Sequence, residues 1–180
     1  MSKGVKIFIT GAVLILTIVI VSAIYFWPVS INENIDGILY RGNLPQYSEN
    51  YTLVMEGHYY RNPFSKNEFL GRFYIDGIDL PDKLEQSGNV NIKFDKKGQG
   101  ALYYQSNEPE DGLSWFSIGS VYFDINDQKV VVAVFDGAGT GSGEWNSGDG
   151  LIFAAPAANR SEALAVTNEL MRFWLIKPIK

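Results

Sequence analysis

The apolar residues follow three different patterns along the chain, and the first is an unbroken run near the N-terminus. Residues Ile7–Trp27 form twenty-one consecutive uncharged positions. As a helix this run would be about 31 Å long, which matches the hydrocarbon core of a bilayer. Lys3 and Lys6 precede the run, and no acidic residue appears before Glu33. The sequence therefore predicts a cytoplasmic segment 1–6, a transmembrane anchor 7–27 and an extracytoplasmic domain behind it.

A cleaved signal peptide is the competing interpretation of the same run. Small residues at 21–23 offer a cleavage site near Ala23, after which the protein would be secreted. The apolar run is, however, longer than the 7–15 residues typical of a signal peptide, and Pro28 ends it. Amphipathic rings before this proline suit the headgroup layer. We therefore predict a retained anchor bounded by Ile7 at one end and by Tyr25, Phe26 and Trp27 at the other.

Alternation of apolar and polar residues is the second pattern, and it predicts strands. Residues 28–50 are rich in Asn, Gly and Pro, so we expect a tether with one short strand at 37–41. Strands are predicted at 51–61 and 69–76. The clearest hairpin joins the alternating residues 90–94 to 101–105 through a Gly-containing turn. A second pair covers 113–124 and 129–135, with the uniformly apolar run 130–135 in a central position, and 151–155 is the last strand.

Helical spacing is the third pattern and covers residues 159–176. Asn159 is a potential N-cap, and Glu162 lies three residues later, as in a capping box. Ala163, Val166 and Trp174 fall on one stripe of this helix. The predicted fold class is therefore mainly β: an N-terminal transmembrane helix, then an antiparallel β-sandwich or partly closed barrel (51–180) with one C-terminal α-helix.

Composition limits the classes of function that this domain can have. Residues 28–180 contain thirteen basic and twenty acidic residues, a formal charge of −7. This acidity argues against nucleic acid as a partner, and against a polybasic surface on anionic lipid. The chain has no cysteine, which excludes disulfides, thiolate chemistry and cysteine-based metal sites. No cofactor is expected.

Several residue groups resemble catalytic or metal sites without completing one. The Gly-rich loop 137–150 lacks phosphate-binding spacing and leads into a strand. Calcium ligands are conceivable at Asp136, Glu144 and Asp149 and in the turn Asp124–Asp127, where Phe135 replaces the closing Glu of a calcium loop. His58, the only histidine, cannot form a zinc site alone. Three carboxylates could serve glycoside hydrolysis, namely Glu56, Glu68 and Asp76.

Aromatic residues are the strongest binding candidates. They occur as adjacent pairs at 59–60, 103–104 and 115–116, and neighbours on a strand point to opposite faces. We therefore expect one member of each pair in the core and the other exposed, while core packing of both members stays possible. Together with the Gly-rich loop they give the candidate binding residues Tyr59, Tyr103, Trp115, Glu144, Trp145 and Asp149.

Two short motifs resemble a group of known proteins. The run Asn67–Gly77 has the form Phe-x-Gly-x-x-x-Ile-Asp-Gly, and Ala155–Leu164 combines Pro-Ala with Glu-Ala-Leu. Together they resemble uncharacterised, single-pass, membrane-anchored exported proteins of Gram-positive bacteria. The resemblance implies a small extracytoplasmic domain and transfers no catalytic residue.

The expected function is a membrane-anchored extracytoplasmic binding or accessory module of the cell envelope, without catalysis. Its expected partners are the bilayer, through residues 7–27, and an envelope protein or glycan. Two alternatives remain: a cell-envelope hydrolase or carbohydrate-active enzyme that uses carboxylates, and a structural subunit of a membrane complex.

Overall fold

Within the residues that the structure describes, the chain forms one apolar helix, eight antiparallel strands and one short packing helix. The computed structural model describes residues 3–77, 89–108, 112–135 and 145–180. Helix α1 is long and apolar enough to cross a membrane. The elements are α1 (Lys3–Tyr25), β1 (Val29–Arg41), β2 (Leu44–Tyr60), β3 (Asn67–Asp76), β4 (Asn89–Phe94), β5 (Gln99–Glu108), β6 (Gly112–Asp124), β7 (Lys129–Val134), β8 (Leu151–Ala155) and α2 (Arg160–Leu170).

The eight strands form one sheet in the order β4-β3-β2-β1-β8-β7-β6-β5. Strands β1 to β4 follow one another in sequence, as do β5 to β8, and β8 pairs with β1. The two edge strands, β4 and β5, also lie side by side. The sheet is therefore a nearly closed antiparallel barrel in which neighbours in the sequence are neighbours in space. This confirms the predicted fold class and selects the barrel over the sandwich.

The interior of the barrel is filled by side chains from alternate positions of every strand. In β1 these are Val29, Ile31, Ile35 and Leu39, and β7 contributes Val130, Val132 and Val134. An eight-stranded barrel is just wide enough to be filled by its own side chains, or to hold one small ligand. Here the aromatic side chains occupy the centre: Tyr59, Phe69, Phe73, Phe94, Tyr104, Phe123 and Phe153.

Glycines let two strands approach closely at one point of the wall. Gly57 of β2 lies opposite Gly71 of β3. A Cβ at Gly57 would lie 2.2 Å from the carbonyl oxygen of Leu70, and one at Gly71 would lie 2.1 Å from that of Glu56. Gly71 also has a φ of +154°. Only glycine fits this pair of positions.

Helix α2 packs on the outer face of β1, β8, β7 and β6. Asn159 caps it by accepting the backbone N–H of Glu162, so the predicted N-cap is confirmed. Glu162 reaches back to the N–H of Ala158, one residue before the N–H of Asn159 that a capping box would use. A second apolar cluster forms between helix and sheet, and its buried members include Ile38, Tyr40, Tyr122, Val131, Ala133, Ile152, Ala154, Ala163, Val166 and Met171. The apolar run of β7 is therefore buried on both faces, as its sequence predicts.

The structure differs from three of the predictions. The expected tether 28–50 instead forms β1 and the start of β2, which pair along their length, so only residues 26–28 link α1 to the barrel. In β1, Asn and Asp alternate with inward-facing apolar residues. The pairing of β1 with β2 outweighs the low strand propensity of these Asn and Asp residues. The expected hairpin 90–105 has its turn, and its two strands lie side by side, but they form no ladder with each other. Helix α2 ends at Leu170 rather than at 176, because Met171 leaves the helical conformation.

Candidate functional site

A seam runs down the barrel wall between β4 and β5. At its start the N–H of Asp95 donates to the carbonyl of Gln99 over 2.8 Å. The Asp95 carboxylate in turn accepts the N–H groups of Lys97 and Gln99. Beyond this turn the two strands, both entirely within the described residues, form no ladder with each other. The barrel therefore closes at this seam by packing rather than by a ladder, with Gly100 of β5 close to Ile92 and Phe94 of β4.

A groove of about 400 Å³ follows the seam on the outside of the barrel. Its lining residues carry two ammonium groups, one carboxylate, a phenol, two amides and a hydroxyl: Lys66, Asn91, Lys93, Asp95, Gln99, Gly100, Ala101, Tyr103 and Ser120. A neighbouring hollow of about 580 Å³ shares Lys66 and Asp95 and extends to Phe64 and Lys96. Each concavity is lined by two lysines against one carboxylate, Asp95, so its charged side chains favour a ligand with acidic groups.

The paired aromatics divide between core and surface, but not always as expected. Tyr103 is 47% exposed and lies in the groove, whereas Tyr104 is buried, so this pair behaves as predicted. Tyr59 was expected to bind a partner, and that prediction is wrong. Its ring lies inside the barrel, 6.0 Å from that of Phe94, while its neighbour Tyr60 is the exposed member. Burial raises the pKa of Tyr59.

The other predicted binding residues do not join the groove. Trp145 packs against the second apolar cluster with α2, on the outer face of the sheet. Asp149 is exposed, and its backbone carbonyl accepts the Arg41 guanidinium. Glu144 lies outside the described residues, as does Asp136, and the side chain of Trp115 is not described either. Of the six candidates, the described structure thus brings only Tyr103 to the seam.

The three carboxylates proposed for hydrolysis are spread over the outer face of the sheet. Glu56 is bound by Arg72 at 2.9 Å and lies opposite it in the ladder. Glu68 and Asp76 lie four residues to either side of Arg72 on β3. At about 3.3 Å per residue, each is about 13 Å along the strand from the Glu56 position. Paired glycosidase carboxylates stand about 5–9.5 Å apart, so the backbone does not bring these acids together.

The remaining metal and acid–base candidates have local structural roles. The Asp124 carboxylate accepts the N–H groups of Asn126 and Asp127, which is an Asx turn, and Asp127 is bound by Lys129. His58 is exposed beside Tyr60. No group of three acidic or histidine residues within the described ranges is placed to hold a metal ion.

Two buried phenols serve packing. The hydroxyl of Tyr104 donates to the carbonyl of Phe73 inside the barrel, and burial raises its pKa. Tyr40 donates to the Thr167 hydroxyl over 2.8 Å, and burial raises the pKa of Tyr40 to about 12. Both phenols stay protonated at neutral pH and bond within the fold.

The lysines of the groove were not among the sequence candidates. Lys93 falls on the polar face of an alternating strand, which is a weak signal that the residue is exposed. Lys66 follows a Pro-containing loop, and its sequence carries no signal that links it to Lys93. The pairing of β3 with β4, which sets Asn67 opposite Phe94, brings the two ammonium groups to one groove.

Comparison with known proteins adds no relative. No protein-family model matches the chain, and no curated protein or solved structure is detectably similar to it. The likeness to single-pass exported proteins of Gram-positive bacteria therefore stays an expectation from two motifs, and the site must be interpreted from its own chemistry.

Proposed function

We propose that the protein is a membrane-anchored extracytoplasmic module of the cell envelope, which binds a partner in the groove between β4 and β5. The groove is the observation that carries this proposal. It combines an exposed phenol, Tyr103, with the ammonium groups of Lys66 and Lys93 along the seam. Such an arrangement fits a partner with acidic groups, because the lysines supply charge and the phenol supplies a ring and a hydroxyl for contact.

Two features support binding rather than catalysis at this place. The barrel interior is occupied by its own aromatic side chains, which directs ligands to the outside. The groove's carboxylate, Asp95, is already engaged by two backbone N–H groups of its turn. The membrane assignment is supported by helix α1, which is long and apolar enough to cross a bilayer.

Cysteine labelling tests the topology, because the chain has no cysteine of its own. Gln46→Cys places a thiol on an exposed position of β2, and Gly4→Cys places one before the apolar run. In intact cells we expect an impermeant maleimide to label only position 46, and both positions after permeabilisation. Labelling of position 4 alone in intact cells would show the opposite topology and contradict the proposal.

Photocrosslinking tests the groove. Benzoylphenylalanine at Tyr103 should give a discrete adduct in cells, whereas the same residue at Tyr60 is a matched control on exposed β2 surface. The Lys93→Glu substitution should abolish the adduct at 103. Equal adducts at both positions, or adducts at 103 that are insensitive to Lys93→Glu, would refute the groove as the binding site.

A further inference from the structure

The end of the barrel next to α1 is held close to the end of that helix. Residues 26–28 are the whole link between α1 and β1, and three extended residues reach about 10 Å at most. The guanidinium of Arg61, just after β2, also lies 5.2 Å from the ring centre of Tyr25 in α1. Whatever surface α1 enters must therefore lie near this end of the barrel.

Four segments form this end, which we call the proximal end: 61–66, 95–98, 125–128 and 171–176. The first two share the hollow lined by Phe64, Lys66 and Lys96. The fourth joins them through Lys97, whose ammonium lies 5.0 Å from the ring centre of Phe173. The third segment directly follows β6, whose Tyr122 contacts Trp174. The four segments thus form one continuous surface.

Charge is distributed unevenly between this surface and the rest of the domain. The proximal end carries five cations, Arg61, Lys66, Lys96, Lys97 and Arg172, against two carboxylates, Asp95 and Asp127. Its net charge is +3, although residues 28–180 as a whole carry −7. The acidic average, which argued against contact with anionic lipid, therefore hides a cationic end.

Apolar side chains project from the same surface. Phe64 and Ile176 are each 98% exposed, and Phe173 is 55% exposed. Trp27, at the end of the link, is 74% exposed. Isolated surface apolars are ordinary, but three of them among cations on one continuous surface resemble the composition of interfacial membrane-binding segments.

We propose that the proximal end lies on the surface of an anionic phospholipid bilayer, with its cations against headgroup phosphates and with Phe64 and Ile176 in the interfacial layer. This inference rests on the proposed anchoring by α1. The membrane is the occupant that fits, because the link between α1 and this end is three residues long and the phosphates of anionic lipids complement the charge of this end. The barrel would then stand in a defined orientation rather than swing on a tether.

Spin labels on the full-length protein in vesicles test the orientation. A spin label at Ser65→Cys reports the water accessibility of the surface beside Phe64. A label at Asn43→Cys, in the distant β1–β2 turn, is a matched exposed control, and a label at Ile15→Cys reports the membrane depth of the middle of α1. In vesicles of phosphatidylglycerol and phosphatidylcholine, we expect a nickel chelate to collide with the label at 65 several-fold less often than with that at 43. Vesicles of phosphatidylcholine alone, or high salt, should remove this protection.

Substitutions identify the groups responsible. We expect the label at 65 to collide with the nickel chelate as often as the label at 43 in two variants, Phe64→Ser and the pair Lys96→Glu with Lys97→Glu. Unchanged urea midpoints would show that these exposed substitutions leave the fold intact. If the label at 15 is deep in the bilayer and the label at 65 is as accessible as that at 43, this inference fails and the anchor stands. If the label at 15 is itself in water, the anchor and this inference fail together.

Discussion

The hydrogen bond between Tyr40 and Thr167 ties α2 to the barrel, and its contribution to stability can be measured. Both side chains are fully buried, and the bond spans 2.8 Å between groups 127 residues apart. Removing one partner leaves the other buried without its bond, which costs about 1–3 kcal/mol. We therefore expect Tyr40→Phe and Thr167→Val each to lower the free energy of unfolding by about that amount.

The double variant is the decisive measurement. Tyr40→Phe with Thr167→Val removes both polar groups at once and keeps the ring that Arg160 covers at 4.9 Å. The double variant should lose less free energy of unfolding than the two single variants lose together, and the difference, about 1 kcal/mol, is the coupling energy of Tyr40 with Thr167.

Urea unfolding of the full chain in detergent, followed by tryptophan fluorescence, provides the free energies. Trp174 packs against the same cluster as Tyr40 and reports its disruption. Tyr103→Phe, at an exposed position, is the control and should change stability by less than about 0.5 kcal/mol. Additive single costs, or single variants as stable as the control, would show that this bond does not couple helix and sheet.

Two further predictions concern pH and backbone packing. The phenol of Tyr40 has a pKa of about 12 in the fold against the ordinary value of 10.0, so between these values the unfolded chain releases a proton that the fold retains. The free energy of unfolding should therefore fall as pH rises from about 10 to 12, by about 3 kcal/mol for this group. Urea midpoints of the wild type and of Tyr40→Phe, measured at both ends of that range, should show a shallower fall in the variant. Gly57→Ala should cost about 1–3 kcal/mol or more, because its Cβ would overlap the Leu70 carbonyl, whereas Gly4→Ala, with open space around it, is the matched control. Equal urea midpoints for these two alanine variants would contradict the close approach of β2 and β3.

Much of the fold could be predicted from local patterns. Strand β4 alternates between apolar and polar positions, β7 is apolar on both faces, and Asn159 with Glu162 marks the start of α2. Each of these signals is complete within a few residues. The segment 28–50 could not be predicted in this way, because its Asn and Asp residues lower strand propensity, and only pairing of β1 with β2 and β8 stabilises the extended form.

The candidate site was less predictable than the fold. Alternation indicates that Tyr59 and Tyr60 face opposite ways, but not which of them faces inward. A shift of one residue in register reverses the answer, and the register is set by the partner strands. Lys66 and Lys93 likewise meet at one groove because β3 and β4 are paired and β5 closes beside them.

The sequence by itself determined the apolar helix, the β-rich domain, the capped helix and the absence of cysteine chemistry. These depend on period, composition and near neighbours. Only the tertiary structure decided which face of each strand is inside, that the strands of the best local hairpin close the barrel without a ladder, and that the cations of an acidic domain gather beside the end of α1. The reason is that these features join residues far apart in the chain, which come together only when the sheet curves into a barrel.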